Sequence, residues 1–473
     1  MAKIRSPLPR LASLALIGLC CGSLGVLALY ALTGRFSEMS STAAAALAAL
    51  LLGAAAATGY AGIFLKASGK VRVALEIGAL LVSLLGAELL LRILAPPAAS
   101  TQIARKIDAD RVGLPFDLRT KTEVVGDLRA HGVDAFPGMS REWPRSPRVR
   151  QQLPEGMFPL SDPSDSDVVE CNESGQYLQF HTDEYGFNNP SGLIASGSLQ
   201  VAVVGESFTL GHCVPGDRSF ISLLRATYPR LANLGMEGSG ALALLATFRE
   251  YAEPLKPPLV LWIMHPWTAD AATEYADPVL RRYLEPGFSQ HLLERRHEVD
   301  QAMRSIALPV QYEADAARQR AVAAASRDRY AGILSLSQLR QRLHLPELMA
   351  KASGSIDLAP FDRSVELAKR ATESWGGRFV VVIMPLYEEV VTHTLEGPLH
   401  HEQLVRRLHD QGIEVIDTVP LFSSAPDPVA LYVMRRANHP SAAGHRMLAD
   451  YIISQLNAGR SDHAVLARGG AAQ

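Results

Sequence analysis

Three long apolar runs crowd the first 95 of the 473 residues, and they decide where the rest of the chain can be built. Residues 11–32 carry no charge, and neither do residues 42–65. About 20 apolar residues let a helix cross a hydrocarbon core of ~30 Å, so both runs are long enough. Residues 73–94 form a third run that includes Glu76, Glu88 and Arg92. Glu88 and Arg92 are four apart and can pair on one helical face, as can Arg72 and Glu76. Charges near helix ends are expected to snorkel to the interface. The runs therefore predict a membrane anchor over residues 1–95, with transmembrane helices at 11–32, 42–65 and 73–94. A cleaved signal peptide is the competing reading of the first run. Its apolar stretch is longer than a usual h-region and no clear A-x-A site follows, so a retained anchor is expected.

Charge sets the expected orientation. Lys3, Arg5 and Arg10 precede the first run, and Lys66, Lys70 and Arg72 lie between the second and third; the intervening turn has one base and one acid. The positive-inside rule puts the N-terminus in the cytoplasm. The expectation is a multi-pass protein of the inner (cytoplasmic) membrane, with the lipid bilayer as partner and the C-terminal part on the periplasmic or extracytoplasmic side. Beyond residue 95 the chain has 38 basic and 45 acidic residues, a net charge of -7. A mildly acidic body lacks the field a nucleic-acid binder needs, so no nucleic-acid partner is expected.

Cys20 and Cys21 lie inside the first run and read as small apolar fillers. Cys171 and Cys213 fall in the part expected outside the cytoplasm, where disulfides persist. One bridge between them is predicted; two unrelated buried thiols are the alternative. The 41 intervening residues would give loop closure worth roughly 3–4 kcal/mol. No C-x-x-C or H-E-x-x-H spacing occurs, and neither metal nor cofactor is expected.

Residues 96–198 are rich in Pro, Asp, Ser and Arg, and read as a linker with an irregular N-terminal extension. From residue 199 the pattern changes. Short apolar runs at 199–204, 231–234, 258–264, 379–384 and 414–416 alternate with helical segments at 219–227, 241–252, 364–375 and 402–411, and residues 441–456 close the series as an amphipathic helix. Strands alternating with helices indicate βαβ units and a parallel sheet covered on both faces. An α/β domain over 199–457 is predicted, with a helical insertion at about 277–358 and a disordered tail at 458–473.

The chemistry falls at the ends of these strands. The first runs into Gly205-Glu206-Ser207-Phe208-Thr209-Leu210-Gly211, which puts Ser207 at the carboxyl edge of the sheet, where open α/β folds hold their sites. Alone, this turn is equally a Ser capping a helix. The second runs into a loop containing Gly235, Gly238 and Gly240, whose N–H groups can converge on a developing oxyanion; an ordinary βα loop is the bland reading. Near the C-terminus, His439-Pro440 precedes the last helix, a position suited to a general base. His445 on that helix reads as structural.

Together the three blocks resemble the SGNH/GDSL hydrolase superfamily. Ser207 matches its nucleophile, with Glu206 where Asp is usual. Gly238 matches the second-block oxyanion donor, alongside the N–H of Ser207. His439 matches the base, in the H-P-x-x-x-G-H context. Residues 183–190, Asp183 to Pro190, look like the sequence preceding the first block in membrane-anchored members. The resemblance spans about 183–456 and implies a flavodoxin-like, three-layer α/β/α domain with a parallel sheet. Two positions depart from the pattern. His265-Pro266 stands where a third-block Asn belongs, and Arg436 stands where an Asp should precede the His. His265 and Thr268 are the nearby candidates for the missing donor, and Asp427 and Asp417 for the missing orienting acid. The expected function is a membrane-tethered extracytoplasmic serine esterase or O-acyltransferase acting on an acylated glycan or other ester. The alternative is a non-catalytic glycan-binding or envelope-assembly protein of the same fold.

Overall fold

A computed structural model describes residues 7–32, 41–94, 101–269, 272–327, 333, 336–343, 357–393, 399–436 and 439–469. It divides into two units. One holds residues 1–99 and 320–355, the other 100–319 and 356–473.

In the first unit the apolar runs form α1 (Leu8–Leu32), α2 (Ser41–Phe64) and α3 (Ala67–Leu94). All three are long and apolar enough to cross a membrane. Arg72 and Glu76 pair at 2.9 Å in the open, as interfacial charges do. Glu88 and Arg92 do not behave as snorkelling groups. Their side chains are buried, they pair at 2.7 Å, and a short helix from residues 337–342 covers them. Arg92 donates to Ser337 Oγ (2.6 Å), and Glu88 accepts the Leu339 N–H (2.8 Å). Pairing and hydrogen bonding are what allow an ion pair to stay buried. The insertion expected at 277–358 is thus split, with 277–319 belonging to the other unit and 320–355 to this one.

The second unit opens with α4 (Thr101–Arg111) and α5 (Lys121–Ala130), the latter closed at its N-terminus by a Thr120/Glu123 capping box. The extension predicted as irregular carries a small sheet: β1 (Ala135–Pro137) runs parallel to β2 (Asp167–Val169), which pairs antiparallel with β3 (Gln179–His181). α6 (Pro147–Arg150) lies between β1 and β2.

The main sheet and its helices follow in chain order, interrupted by α12 of the first unit: β4 (Val201–Gly205), α7 (Ser207–Leu210), α8 (Phe220–Arg225), β5 (Leu231–Gly235), α9 (Ala241–Thr247), β6 (Leu259–Met264), α10 (Ala272–Tyr275), α11 (Arg296–Arg327), α12 (Ser337–Arg342, the helix that covers Glu88), α13 (Ala359–Ser374), β7 (Arg378–Ile383), α14 (His401–Asp410), β8 (Glu414–Asp417), α15 (Val419–Ser423) and α16 (Ala442–Gly469). The five strands are parallel in the order β5-β4-β6-β7-β8. In chain order this is 2-1-3-4-5, the flavodoxin-like doubly wound arrangement.

Near-continuous Val, Leu, Ile and Ala in β4, β6 and β7 reflect burial on both faces. The connection from β4 steps one way along the sheet and the next three step back, so right-handed crossovers put their helices on opposite faces. α16 packs with α8, and α13 packs with α9, as that rule requires. The strand order reverses at β4 and β6, whose carboxyl ends therefore open a crevice. α16 extends to Gly469, through most of the stretch expected to be a disordered tail; residues 470–473 lie outside the described ones.

The block from Asp183 to Pro190 buttresses the sheet edge. Asp183 accepts the N–H groups of Tyr185 and Phe187 (both 2.9 Å) and the Asn189 amide. Asn189 in turn accepts the Asn233 N–H and donates to the Asn233 carbonyl, closing the edge strand β5. Burial lifts the Asp183 carboxyl to about 6 against these hydrogen bonds.

Candidate active site

Ser207 stands two residues beyond β4, at the start of α7. Gly205 makes that turn feasible. A Cβ there would lie 2.0 Å from Thr209 Oγ1 and 2.9 Å from Ile263 Cβ, so the chain can bend tightly only without a side chain. The turn sends the Ser207 hydroxyl to His439 Nε2, 2.8 Å away. His439 sits just before α16, and its backbone carbonyl accepts the Val433 N–H.

The other ring nitrogen meets a residue absent from the sequence expectation. His439 Nδ1 is 2.9 Å from Glu173 Oε2, and the His439 N–H reaches the same oxygen at 3.3 Å. A carboxylate only accepts, so Nδ1 carries the proton and Nε2 is left to accept from Ser207. Burial alone would raise the Glu173 carboxyl, but the adjacent His439 and Arg105 outweigh it and hold the group at about 2. Arg105 of α4 reaches Glu173 Oε1 at 3.1 Å. Glu173 therefore presents an ionised, oriented acceptor to the imidazole.

The β2–β3 connection carries Glu173. Leu178 N–H bonds to Cys171 O, Glu170 N–H bonds to Leu178 O, and Gly175 closes the tip. The same connection is stapled to the nucleophile loop by the Cys171–Cys213 disulfide, with Cα atoms 5.8 Å apart. One cysteine is two residues before Glu173 and the other is six after Ser207. That spacing was the available signal for Glu173, because the expected bridge brings its neighbourhood to Ser207. Between them His212 lies edge-on to His439, its ring 5.1 Å away.

Asp427 and Asp417, the expected orienting acids, are elsewhere. Asp427 pairs with Arg435 at 2.9 Å, and Asp417 bonds to His401 at 2.9 Å. Each is satisfied locally at its own turn. Arg436, in the position usual for Asp, points to Asp108 of α4 (2.9 Å).

The candidates for the missing oxyanion donor are also occupied. His265 Nε2 bonds to Glu206 Oε1, and its Nδ1 accepts the Trp267 N–H at 3.2 Å. Thr268 Oγ1 accepts the His265 N–H and lies 3.4 Å from Glu206 Oε1. Both hold the carboxylate that precedes Ser207, which leaves neither side chain a free donor for substrate. Gly238 occupies the β5–α9 loop with φ +73°, its Cα packed against Ser140 Oγ so closely that a Cβ would lie 2.4 Å from it. In that loop Glu274 of α10 accepts the N–H groups of Gly240, Leu242 and Ala243, closing the start of α9.

Ligand-type atoms of Glu170, His212 and Glu237 come within 4.8 Å of one another. Lys121 Nζ is 3.2 Å from Glu170 Oε2 and already serves as the cation of that group. Burial opposes ionisation of Glu170, yet Lys121 and His212 bring its carboxyl down to about 2. Among the described residues, the other such groups use Cys171 or Cys213, which are bonded to each other.

No family model matches the chain, and no curated protein matches it. Among solved structures it is similar to a member of the lipolytic G-D-S-L protein family from Veillonella parvula, at 12% identity over 54% of this chain and 97% of that one, with a TM-score of 0.30. It is similar to an acetyl xylan esterase at 11% identity over 54% and 98%, TM-score 0.30. A further likeness is to an acetylxylan esterase from Geobacillus stearothermophilus, at 14% identity over 54% and 92%, TM-score 0.28.

Proposed function

We propose that this chain is a membrane-tethered serine esterase of SGNH type, with Ser207 as nucleophile, His439 as general base and Glu173 as the acid that orients it. The observation that carries this reading is the continuous relay Glu173–His439–Ser207, with hydrogen bonds of 2.9 and 2.8 Å. In that relay Ser207 Oγ attacks an ester carbonyl carbon while His439 Nε2 takes its proton. The N–H groups of Ser207 and Gly238 steady the oxyanion. Collapse expels the alcohol, which leaves with the proton from His439, and an acyl group stays on Ser207. Water, or the hydroxyl of an acceptor, then releases the acyl group by the same steps in reverse. An acylated glycan outside the cytoplasm is the substrate this reading favours, because the resemblance is to anchored SGNH proteins. Release to a hydroxyl acceptor would make the protein an O-acyltransferase.

The test is a fluorophosphonate probe applied to the full-length protein in membranes. Labelling of the wild type, lost in Ser207→Ala and weakened in His439→Ala, is expected. Folded wild-type protein that resists the probe, and hydrolyses no acetyl ester, would favour the non-catalytic alternative.

A further inference from the structure

The body of the protein keeps most large apolar side chains inside, with a local exception. Among the described residues of the second unit, eight large apolar side chains are exposed, and five of them, Ile103, Ile107, Val112, Leu114 and Leu118, fall within 16 residues. They lie on α4 and the turn that follows it. Ile103 and Ile107 are one helical turn apart and share a face. A concentrated apolar ridge on an otherwise acidic body marks an interaction surface.

The opposite side of α4 is committed to the domain. Ala109 is buried against Val433 and Met434, Arg105 bonds to Glu173, and Asp108 bonds to Arg436. The helix is therefore fixed on the body with its ridge outward. Leu114 N–H returns to the Ala109 carbonyl and Gly113 has φ +73°, so the turn is a closed helix cap that holds Val112 and Leu114 beside the helix end.

Chain length supplies the occupant. Only residues 95–100 separate the end of α3 from the start of α4. A fully extended link of that length reaches at most about 25 Å. The ridge is thus tethered close to the membrane surface at which α3 ends. Lys106, Arg111 and Arg119 flank it, each ion-paired with a neighbouring aspartate (Asp110, Asp108 and Asp117), so the border is charged but balanced while the long stems can lie along the apolar layer.

We propose that α4 and residues 112–118 lie in the interfacial layer of the bilayer leaflet where α3 ends, with Ile103, Ile107, Val112, Leu114 and Leu118 immersed among the upper acyl chains. The helix then forms a floor between lipid and site. One side meets the bilayer, and the other holds Arg105 against Glu173. The inference is independent of whether Ser207 reacts, since it rests on the ridge and the tether.

The experiment uses the full-length chain, with Cys20→Ser and Cys21→Ser, in protein-free vesicles of phosphatidylethanolamine and phosphatidylglycerol. Ile103→Cys and Leu114→Cys are each labelled with an environment-sensitive nitrobenzoxadiazole dye. Tyr312→Cys, exposed on α11, is the control, and non-reducing thiol counts verify that the Cys171–Cys213 bridge survives. Dye at 103 and 114 is expected to emit at shorter wavelength than at 312, and to be quenched at least twofold more by lipids spin-labelled near the headgroup. Emission and quenching equal to those at 312, with full access to aqueous iodide, would overturn the proposal; so would shielding that appears only when a second protein is added.

Discussion

Glu173 carries the sharpest prediction at the scale of single residues. In Glu173→Gln the Oε1 amide oxygen can still accept from Nδ1, but the charge that stabilises the imidazolium is gone. General-base assistance of this kind is worth about 10²–10⁴ in rate, so kcat for ester hydrolysis should fall by at least tenfold while KM changes little. Glu173→Asp, which keeps the charge on a shorter arm, should recover part of the loss. Equal kcat in wild type and Glu173→Gln would remove Glu173 from the mechanism. Substituting Asp427 or Asp417, each bonded elsewhere, should leave kcat within about twofold. Ser207 and His439 were legible because each lies beside a recognisable turn, a glycine-rich loop after a strand and a Pro before a helix. Glu173 was not singled out, since it sits in a Pro- and Ser-rich stretch with no periodicity and only the expected Cys171–Cys213 bridge pointed to its neighbourhood. His265 and Thr268 looked like donors by proximity, yet proximity in sequence does not say that Glu206 lies between them and the site.

Elements show the same contrast. The strands expected at 199–204, 231–234, 258–264, 379–384 and 414–416 differ from the observed ones by one or two residues at their ends, because buried parallel strands announce themselves as apolar runs. β1, β2 and β3 have three residues each, too few to establish an alternation, and so the sheet carrying Glu173 was invisible. The disulfide is what joins that sheet to the main one at the site. Replacing both cysteines, Cys171→Ser with Cys213→Ser, releases a closed loop of this length, which should cost roughly 3–4 kcal/mol and lower Tm by several degrees. Fluorophosphonate labelling should slow more than Tm alone explains, because the arm holding Glu173 is loosened. Labelling that is unchanged at temperatures where the variant is folded would confine the bridge to a stability role.

The junction of α8 and α16 gives a prediction in pH. His445 is fully buried, stacks on Phe220 and accepts the Phe220 N–H through Nδ1 (3.1 Å). Burial depresses its imidazole to about 4, against 6.5 when free. The folded state therefore binds fewer protons than the unfolded one in that window. Stability from this group is complete above pH 6.5 and is lost as pH falls through 4, by roughly 3 kcal/mol at most. His445→Gln keeps an acceptor for Phe220 but does not titrate, so its Tm should decline less steeply between pH 7 and 4.5. Parallel declines would show that His445 is not the responsive group. The shift of Asp183 acts in the opposite direction, but it is common to both proteins and cancels in the comparison.

For the whole molecule, the three apolar helices, the acidic body and the disulfide have to be consistent with one topology. Bases cluster at the start of α1 (Lys3, Arg5, Arg10) and around the start of α3 (Lys66, Lys70, Arg72), a pattern for which the positive-inside rule predicts a cytoplasmic N-terminus and a domain after α3 on the opposite side. Cys171 and Cys213 are bonded within a domain that would remain reduced in a cytosol. A reporter active only after export, fused after Ala98, should therefore be active. Thiol labelling of the full-length protein without reductant should find Cys20 and Cys21 reactive after denaturation and the other two protected. Exchanging Lys3, Arg5 and Arg10 for Glu while adding Lys to residues 33–40 weakens the charge bias at both ends of α1. Reporter activity and protection of Cys171 and Cys213 should then fall together in the misoriented fraction. An inactive reporter in the wild type, or free thiols at 171 and 213 in freshly isolated membranes, would place the domain in the cytoplasm and leave its relay without the bridge that holds Glu173 beside Ser207.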